Sequence, residues 1–152
     1  MADIAALTDV FYIGGTKNGA LFGEALVILN EELKPDFRFM VKQRGAMLAK
    51  GWLLGIQFEE LFQNNLFYDM ASHANAMAAR LKKALTDKGY DFAYDSCTNQ
   101  LFPIFPDEMI ARLAKEFTFN MDKRIDESHS SIRLVTSWAT TEEGVQEFIE
   151  AL

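Results

Sequence analysis

Cysteine is nearly absent from this sequence. Cys97 is the one cysteine among 152 residues. A single cysteine cannot form a disulfide within the chain, so the fold must be stabilised by its core rather than by covalent cross-links. The same scarcity is typical of a reducing compartment, and we expect a cytoplasmic protein. We interpret Cys97 itself as a small buried residue rather than a reactive one.

Positive charge and long apolar runs are also in short supply. Lysine and arginine number 15 against 22 acidic residues, which gives a net charge of −7. This balance argues against general affinity for nucleic acid or anionic membranes. Apolar stretches such as Trp52 to Ile56 break off well before the ~18 residues that a membrane span requires, and the first residues do not resemble a signal peptide. We therefore expect neither nucleic acid nor membrane as a partner.

Histidine is the third scarce residue. His73 falls on a predicted helix and His129 in a polar turn, so the sequence predicts no metal site. The chain is, by contrast, rich in apolar residues, since 49% of its residues are hydrophobic. That fraction, at this length, suits one compact domain or a domain with an appended piece.

A lysine lies between two apolar strands near the start of the chain. Val10 to Ile13 reads as a strand, the run Gly-Gly-Thr-Lys-Asn-Gly follows at positions 14–19, and Glu24 to Asn30 reads as an interior strand buried on both faces. Lysine attacks a carbonyl only as the free amine, which a desolvated site favours. On spacing alone, Lys17 is either such a nucleophile or an ordinary surface lysine in a glycine-rich turn.

Two helical stretches follow Pro35. Three glycines lie in the first, each costing about 1 kcal/mol relative to alanine inside a helix, so this element is either one bent helix or two helices. The second runs from Leu66 to Thr86, and Gly89 suits its left-handed cap. The apolar face of the first stretch comprises Met40, Met47, Leu54, Phe58 and Leu61.

Shorter elements alternate from Asp91 onward. A helix begins at Pro106, and a last helix follows a possible capping box formed by Thr140 and Glu143. Residues 126–131 read as a polar turn. The predicted strands are 92–94, 100–105, 117–121 and 132–138. The carboxy-terminal part of the chain is therefore predicted to be an α+β or α/β layer.

Four segments resemble one enzyme family. The run at positions 14–19, followed by Phe-Gly-Glu-Ala at 22–25, closely resembles the cofactor-lysine segment of the low-specificity L-threonine aldolases. These are fold-type-I enzymes that use pyridoxal 5'-phosphate (PLP) and are grouped with the β-eliminating lyases. Residues 42–51, 99–103 and 132–138 match further segments of the family in the same order. Matches in register are far more specific together than any one alone.

The resemblance implies an α/β fold with a particular division. The chain would comprise the carboxy-terminal small domain of a fold-type-I PLP enzyme, itself α+β, together with the last strands of the large domain. Residues 1–35 would end the large domain and carry the lysine loop, 36–65 would form a connecting helical region, and 66–152 would form the small domain.

The same resemblance implies roles for individual residues. Lys17 is similar to the catalytic lysine that carries PLP as a Schiff base, with Gly15 and Thr16 shaping the loop around it. Arg133 resembles the arginine that holds the substrate carboxylate, a task suited to a planar, permanently charged fork. Arg44 would contact the cofactor phosphate, although some relatives have their arginine a few positions later, where this chain has Leu48.

The reaction implied is reversible cleavage of L-threonine or L-allo-threonine to glycine and acetaldehyde, in a homo-oligomer. The family also has an aromatic or histidine side chain on the cofactor ring, phosphate donors and an Asp-Gly-x-Arg segment before its lysine, and none of these fits within residues 1–16; Asp9 is not that aspartate. We therefore expect a fragment that binds PLP weakly and is inactive alone. The alternatives are a related PLP-dependent elimination or decarboxylation and a non-catalytic oligomerisation module.

Overall fold

The computed structural model describes all residues, Met1–Leu152. The chain divides into two compact units, Met1–Phe67 and Tyr68–Leu152. None of its helices combines the length and apolar character needed to cross a membrane.

The first unit contains a two-stranded sheet. A short helix α1 (Ala2–Ala5) precedes β1 (Val10–Gly14), which pairs antiparallel with β2 (Glu24–Ile28). The strand positions are as predicted, but the prediction that β2 is buried on both faces is wrong. Leu26 is 48% exposed, because β2 has only β1 as a strand neighbour in a sheet of this size.

Two helices, rather than one bent helix, follow the sheet. They are α2 (Phe37–Gln43) and α3 (Trp52–Leu61), so the second of the two sequence alternatives is correct. The break comes at Gly45, whose φ of 71° lies in the left-handed region that favours glycine. On α3, Phe58 and Leu61 are buried, whereas no residue of α2 is buried and two of its four apolar residues, Phe39 and Met40, are exposed.

A long helix accounts for much of the second unit. It is α4 (Leu66–Asp87), within one residue of its predicted end, and Gly89 adopts the predicted left-handed conformation with a φ of 85°. One face of α4 enters the core; its buried residues are Ala74, Met77, Ala78, Leu81 and Leu85.

A small antiparallel sheet is built around one strand. The remaining elements, in chain order, are β3 (Gln100–Leu101), β4 (Ile104–Pro106), α5 (Asp107–Leu113), β5 (Asn120–Arg124), β6 (His129–Val135) and α6 (Glu142–Ala151). β6 pairs with β3, β4 and β5 and is therefore the central strand of the sheet. Ile132 and Leu134 are buried against the helices, whereas Arg133 and Val135 point away from the core.

Several predicted boundaries in this unit are wrong. The strand predicted at 117–121 lies at Asn120–Arg124, and the strand predicted at 132–138 begins already at His129, which shortens the predicted turn. The strand predicted at 92–94 is a single bridge between Phe92 and Pro103. That proline cannot donate to a ladder, and it divides the strand predicted at 100–105 into β3 and β4.

The cap of α6 and the burial of Cys97 also differ from expectation. Thr141, not Thr140, caps the helix: its hydroxyl accepts from the backbone N–H of Gly144 at 3.1 Å. The hydroxyl of Thr140 instead accepts from the N–H of Ser137 at 2.9 Å, so it stabilises the preceding turn. Cys97 is exposed, because it lies in the loop before β3 rather than on a core-facing element.

Candidate functional site

Lys17 lies in a single turn of 3-10 helix, Thr16–Asn18, between β1 and β2. The carbonyl of Gly15 accepts from the N–H groups of Asn18 and Ala20, both at 2.9 Å, and Gly19 closes the turn with a φ of 99°. The side chain of Lys17 is exposed and forms no ion pair or hydrogen bond. The turn therefore presents one unpaired lysine side chain to the solvent at the end of β1, and of the two sequence alternatives the local structure is that of a surface lysine in a glycine-rich turn rather than a desolvated one.

Gly15 has a packing reason to lack a side chain. A Cβ atom at this buried position would lie 2.6 Å from the Cβ of Ala20 and 3.1 Å from the ring of Phe58. Real Cβ atoms do not approach that closely. The backbone of Gly15 therefore packs directly against α3, and only glycine fits at this position. At Gly14, by contrast, a Cβ would meet nothing within 4 Å.

Side-chain amides tie the lysine turn to its surroundings in the first unit. Gln57 on α3 accepts from the N–H of Leu21 at 2.8 Å and donates to the carbonyl of Phe22 at 3.3 Å. Asn18 donates to the carbonyl of Phe67 at 3.2 Å. Sequence reasoning did not identify Gln57 as a support of the turn, since a polar residue on a helix gives no sign of which distant loop it contacts.

Arg44 lies directly after α2, at the start of the connection to α3, and is exposed. It forms no ion pair, and no hydrogen bond joins it to the turn of Gly15, Thr16 and Lys17. A neighbouring cavity of about 520 Å³ in the same connection is lined by Arg38, together with Leu48, Trp52 and other apolar residues. The candidate basic residues of the first unit therefore lie on different elements. Lys17 is in the turn between β1 and β2, whereas Arg38 and Arg44 are on or directly after α2.

Arg133 belongs to the second unit, on the exposed face of β6. Its cross-strand partner on β5 is Asn120. The guanidinium forms no hydrogen bond or ion pair, and it lines a cavity of about 390 Å³ together with Phe102, Asn120, Met121 and Asp122. The ring of Phe102 is held edge-on against Tyr94, with centroids 5.0 Å apart. A guanidinium whose N–H groups are unpaired and lie at an open cavity can donate two hydrogen bonds to one carboxylate.

The end of β6 is fixed by a buried threonine. Thr136 is 4% exposed, and its hydroxyl donates to the carbonyl of Ala74 on α4 at 2.7 Å. The amide of Asn99 donates to the carbonyl of Thr136 at 2.7 Å, and the N–H of Thr136 returns a bond to the carbonyl of Asn99 at 3.0 Å. These bonds join the segments at 99–103 and 132–138, so the strand that bears Arg133 is anchored just beyond it.

The opposite end of β6 has its own polar network. Arg124 donates to a carboxylate oxygen of Asp107 at 2.7 Å and to backbone carbonyls of the β5–β6 turn. In that turn the backbone N–H of Ser128, followed by the ring of His129, lowers the pKa of Asp126 to about 2. His73, on α4, contacts the carbonyl of Thr140 through Nε2 at 2.7 Å. Both histidines therefore have local structural partners.

Comparison with known sequences gives no matching family model. The chain is 31% identical over 144 residues to the low-specificity L-threonine aldolase of Pseudomonas aeruginosa and 28% identical to that of a Pseudomonas species. Each match covers 91% of this chain and 40% of the relative. The chain thus spans about two fifths of the length of the curated relatives that it matches.

Comparison with solved structures gives a closer match. The threonine aldolase of Leishmania major is 52% identical with a TM-score of 0.94, over 98% of this chain and 44% of that protein. A serine palmitoyltransferase of Sphingomonas wittichii has a TM-score of 0.70 at 14% identity, over 99% of this chain and 40% of that protein, and shows the fold alone. These matches confirm the predicted fold class, an α/β part of a fold-type-I PLP enzyme. Over nearly its whole length the chain is therefore similar to threonine aldolases, of which it matches about two fifths.

Proposed function

We propose that this chain supplies the cofactor lysine and the substrate-carboxylate anchor of a PLP-dependent aldolase. The reaction is the reversible cleavage of L-threonine or L-allo-threonine to glycine and acetaldehyde. The observation that carries the proposal is the unpaired side chain of Lys17, which lies on a turn that is fixed to α3 through Gly15 and Gln57.

The residues of the lysine turn fit one end of the cofactor. PLP carries an aldehyde, and an exposed primary amine without a competing carboxylate is the group that can bond to it. Lys17 meets that description, and Gly15 and Thr16 hold its backbone in the turn. When bound, PLP supplies an electron sink for the charge left on the substrate when the carbon–carbon bond breaks. Arg44 is the proposed contact for the phosphate, as a permanently charged donor.

Arg133 is the proposed anchor of the substrate. Its guanidinium is unpaired and faces a cavity large enough for a small amino acid. A two-point contact with the carboxylate would fix the orientation of the substrate, which is the main contribution that a residue away from the reacting bond can make. We expect little or no cleavage of threonine by the 152-residue chain alone, because Lys17 is exposed and no side chain of this chain forms a hydrogen bond or ion pair with it.

Labelling with PLP tests the role of Lys17. The purified chain is incubated with PLP, reduced with borohydride and digested, and the modified lysines are located by mass spectrometry. We expect the peptide that contains Lys17 to be labelled in preference to that containing Lys50, another exposed lysine of the same unit. Lys17→Ala removes the preferred label and Lys50→Ala leaves it unchanged. Uniform labelling of surface lysines would contradict the proposal.

A second candidate function is a non-catalytic oligomerisation module in the cytoplasm. The observation in its favour is the apolar surface of the first unit, where Leu21 is 84% and Phe39 73% exposed. Clusters of large exposed apolar residues mark interaction sites in soluble proteins. Sedimentation of the purified chain separates the candidates: self-association without preferential labelling of Lys17 supports the module, and labelling of Lys17 supports the aldolase. The aldolase proposal itself also expects a homo-oligomer.

A further inference from the structure

The lysine turn contains an asparagine that is followed directly by a glycine. Asn18 is the last residue of the 3-10 turn, and Gly19 closes it with a φ of 99°. Of the asparagines in this chain, Asn18 alone precedes a glycine. Glycine leaves its own backbone nitrogen without the hindrance of a side chain, so this nitrogen can approach the side-chain carbonyl of the preceding asparagine. The dipeptide therefore has the arrangement in which an asparagine amide can be attacked by the backbone.

Few contacts of the turn restrain the two groups that would react. The carbonyl of Gly15 accepts from the N–H groups of Asn18 and Ala20, and the N–H of Gly19 between them is not one of these donors. The side chain of Asn18 is half-buried, and its amide donates to the carbonyl of Phe67 at 3.2 Å. A single hydrogen bond between neutral groups contributes little net stability. The amide of Asn18 can therefore leave this carbonyl and turn towards Gly19.

We propose that Asn18 is a site of spontaneous deamidation, with Gly19 as the internal nucleophile. The backbone nitrogen of Gly19 forms a bond to Cγ of Asn18 and the bond from Cγ to Nδ2 breaks. The amide leaves as ammonia, with the proton that the Gly19 nitrogen has lost. Water then opens the resulting cyclic imide at either of its carbonyls, which gives aspartate or isoaspartate at position 18. Water is the one co-reactant, and no oxidant or enzyme takes part.

Deamidation would change the turn that carries Lys17 in two ways. The new carboxylate cannot donate, so the hydrogen bond to the carbonyl of Phe67 is lost. It also places a negative charge next to Lys17, whose side chain is otherwise unpaired, and a neighbouring carboxylate favours the ammonium form over the amine that attacks an aldehyde. This second consequence, unlike the deamidation itself, rests on the proposed function: the deamidated turn reacts less with PLP.

Incubation of the full chain in mildly alkaline buffer tests the proposal, with peptide mass spectrometry to locate and time the modification. Deamidation at Asn18 should be at least about tenfold faster than at Asn64, an exposed asparagine of the same unit that precedes Asn65, because only glycine leaves the attacking nitrogen unhindered. Gly19→Ala should slow the reaction at Asn18 by about tenfold for the same reason. Because alanine is strained at a positive φ, Asn18→Gln is the second variant: its longer side chain requires a larger ring, so position 18 should stay unmodified.

The products distinguish attack by Gly19 from simple hydrolysis of the amide. Opening of the imide gives a mixture of aspartate and isoaspartate, whereas direct attack by water gives aspartate alone. Equal rates at Asn18 and Asn64, aspartate without isoaspartate at position 18, or unchanged deamidation in Asn18→Gln would overturn the proposal. None of these measurements depends on PLP, so they stand or fall separately from the cofactor role of Lys17.

Asn18→Asp tests the consequence for Lys17. Labelling of Lys17 by PLP and borohydride in this variant should be about threefold lower than in the wild-type chain, as expected of one exposed charge contact. Asn64→Asp adds the same charge to the first unit away from the turn and should leave the labelling unchanged. Equal labelling in the two variants would contradict an effect of the new carboxylate on Lys17.

Discussion

The two units of this chain differ in how completely they bury their large apolar side chains. In the second unit, Leu85, Phe105 and Ile132 have no exposed surface, because helices cover one face of the sheet. In the first unit, Leu21, Phe22 and Phe39 are exposed, since a two-stranded sheet and short helices cannot enclose them. The second unit thus has an enclosed apolar core, whereas the first leaves large apolar side chains in contact with solvent.

The largest expected effect is the loss of stability when a buried apolar side chain is truncated, in comparison with an exposed one. Leu85→Ala empties a fully buried position and should reduce the free energy of unfolding of the second unit by about 3 kcal/mol. Leu21→Ala, its exposed counterpart, should change the free energy of unfolding of the first unit very little. Urea denaturation can resolve the units, because Trp52 belongs to the first and Trp138 to the second, and each is replaced by phenylalanine in turn. Equal losses from the two variants would contradict the comparison.

A smaller effect is expected at the one tightly packed point of the lysine turn. Gly15→Ala forces a Cβ against Ala20 and Phe58 and should destabilise the first unit by about 2 kcal/mol, the usual cost of overpacking. Gly14→Ala is the matched control, because its Cβ meets no atom. The fluorescence of Trp52 in the Trp138→Phe background measures both. If both variants unfold alike, the turn is not seated on α3 as described.

Loss of the Thr141 cap of α6 should lower the free energy of unfolding of the second unit by about 1 kcal/mol. Thr141→Ala removes the hydroxyl that accepts from Gly144, and hydrogen exchange at the amide of Gly144 should become faster. Thr141→Ser keeps the acceptor and should behave as the wild type. Were the serine variant as unstable as the alanine variant, the effect would not come from the cap.

The smallest effect concerns the charge of Asp126. Hydrogen bonds from Ser128 and His129 lower its pKa from the ordinary 3.8 to about 2. Because the folded pKa is the lower one, the stabilisation is present above about pH 4 and is lost as the pH falls toward 2. NMR titration of the carboxyl group should give the lowered value directly. In Ser128→Pro, which lacks the donating N–H, the pKa of Asp126 should rise toward 3.8, and an unchanged value would exclude that bond as the cause.

Much of this fold can be predicted from local patterns. The strands on either side of Lys17, the long helix α4 and the glycine that ends it follow from apolar periodicity and from backbone preferences. Boundaries were wrong where neighbouring residues offered equivalent chemistry: Thr140 and Thr141 can both cap a helix, and Phe117 and Phe119 alternate as in a strand although they precede β5. The sequence pattern predicts whether a segment is a helix or a strand more reliably than it predicts the first and last residues of that element.

The candidate site was predictable only in part. A glycine-rich turn after an apolar strand indicates an exposed lysine, and alternation along β6 places Arg133 opposite Ile132 and Leu134. The contacts of Gln57 and the bulge between Met121 and Lys123 were not predictable, because one depends on a distant loop and the other on the strand register. Such contacts are decided by tertiary structure rather than by spacing along the chain.

The side chain of Gln57 carries the same donor and acceptor as a peptide group. By accepting from the N–H of Leu21 and donating to the carbonyl of Phe22, it forms with this segment the two hydrogen bonds that a backbone peptide group could form. The segment that leaves the lysine turn is therefore hydrogen-bonded to α3 through this side chain, in addition to the packing of Gly15 and Gly23 against Phe58 and Leu54 of the same helix. Because Gln57 and the packing of Gly15 both fix this backbone to α3, a shift of the helix along its axis would also move the turn that carries Lys17.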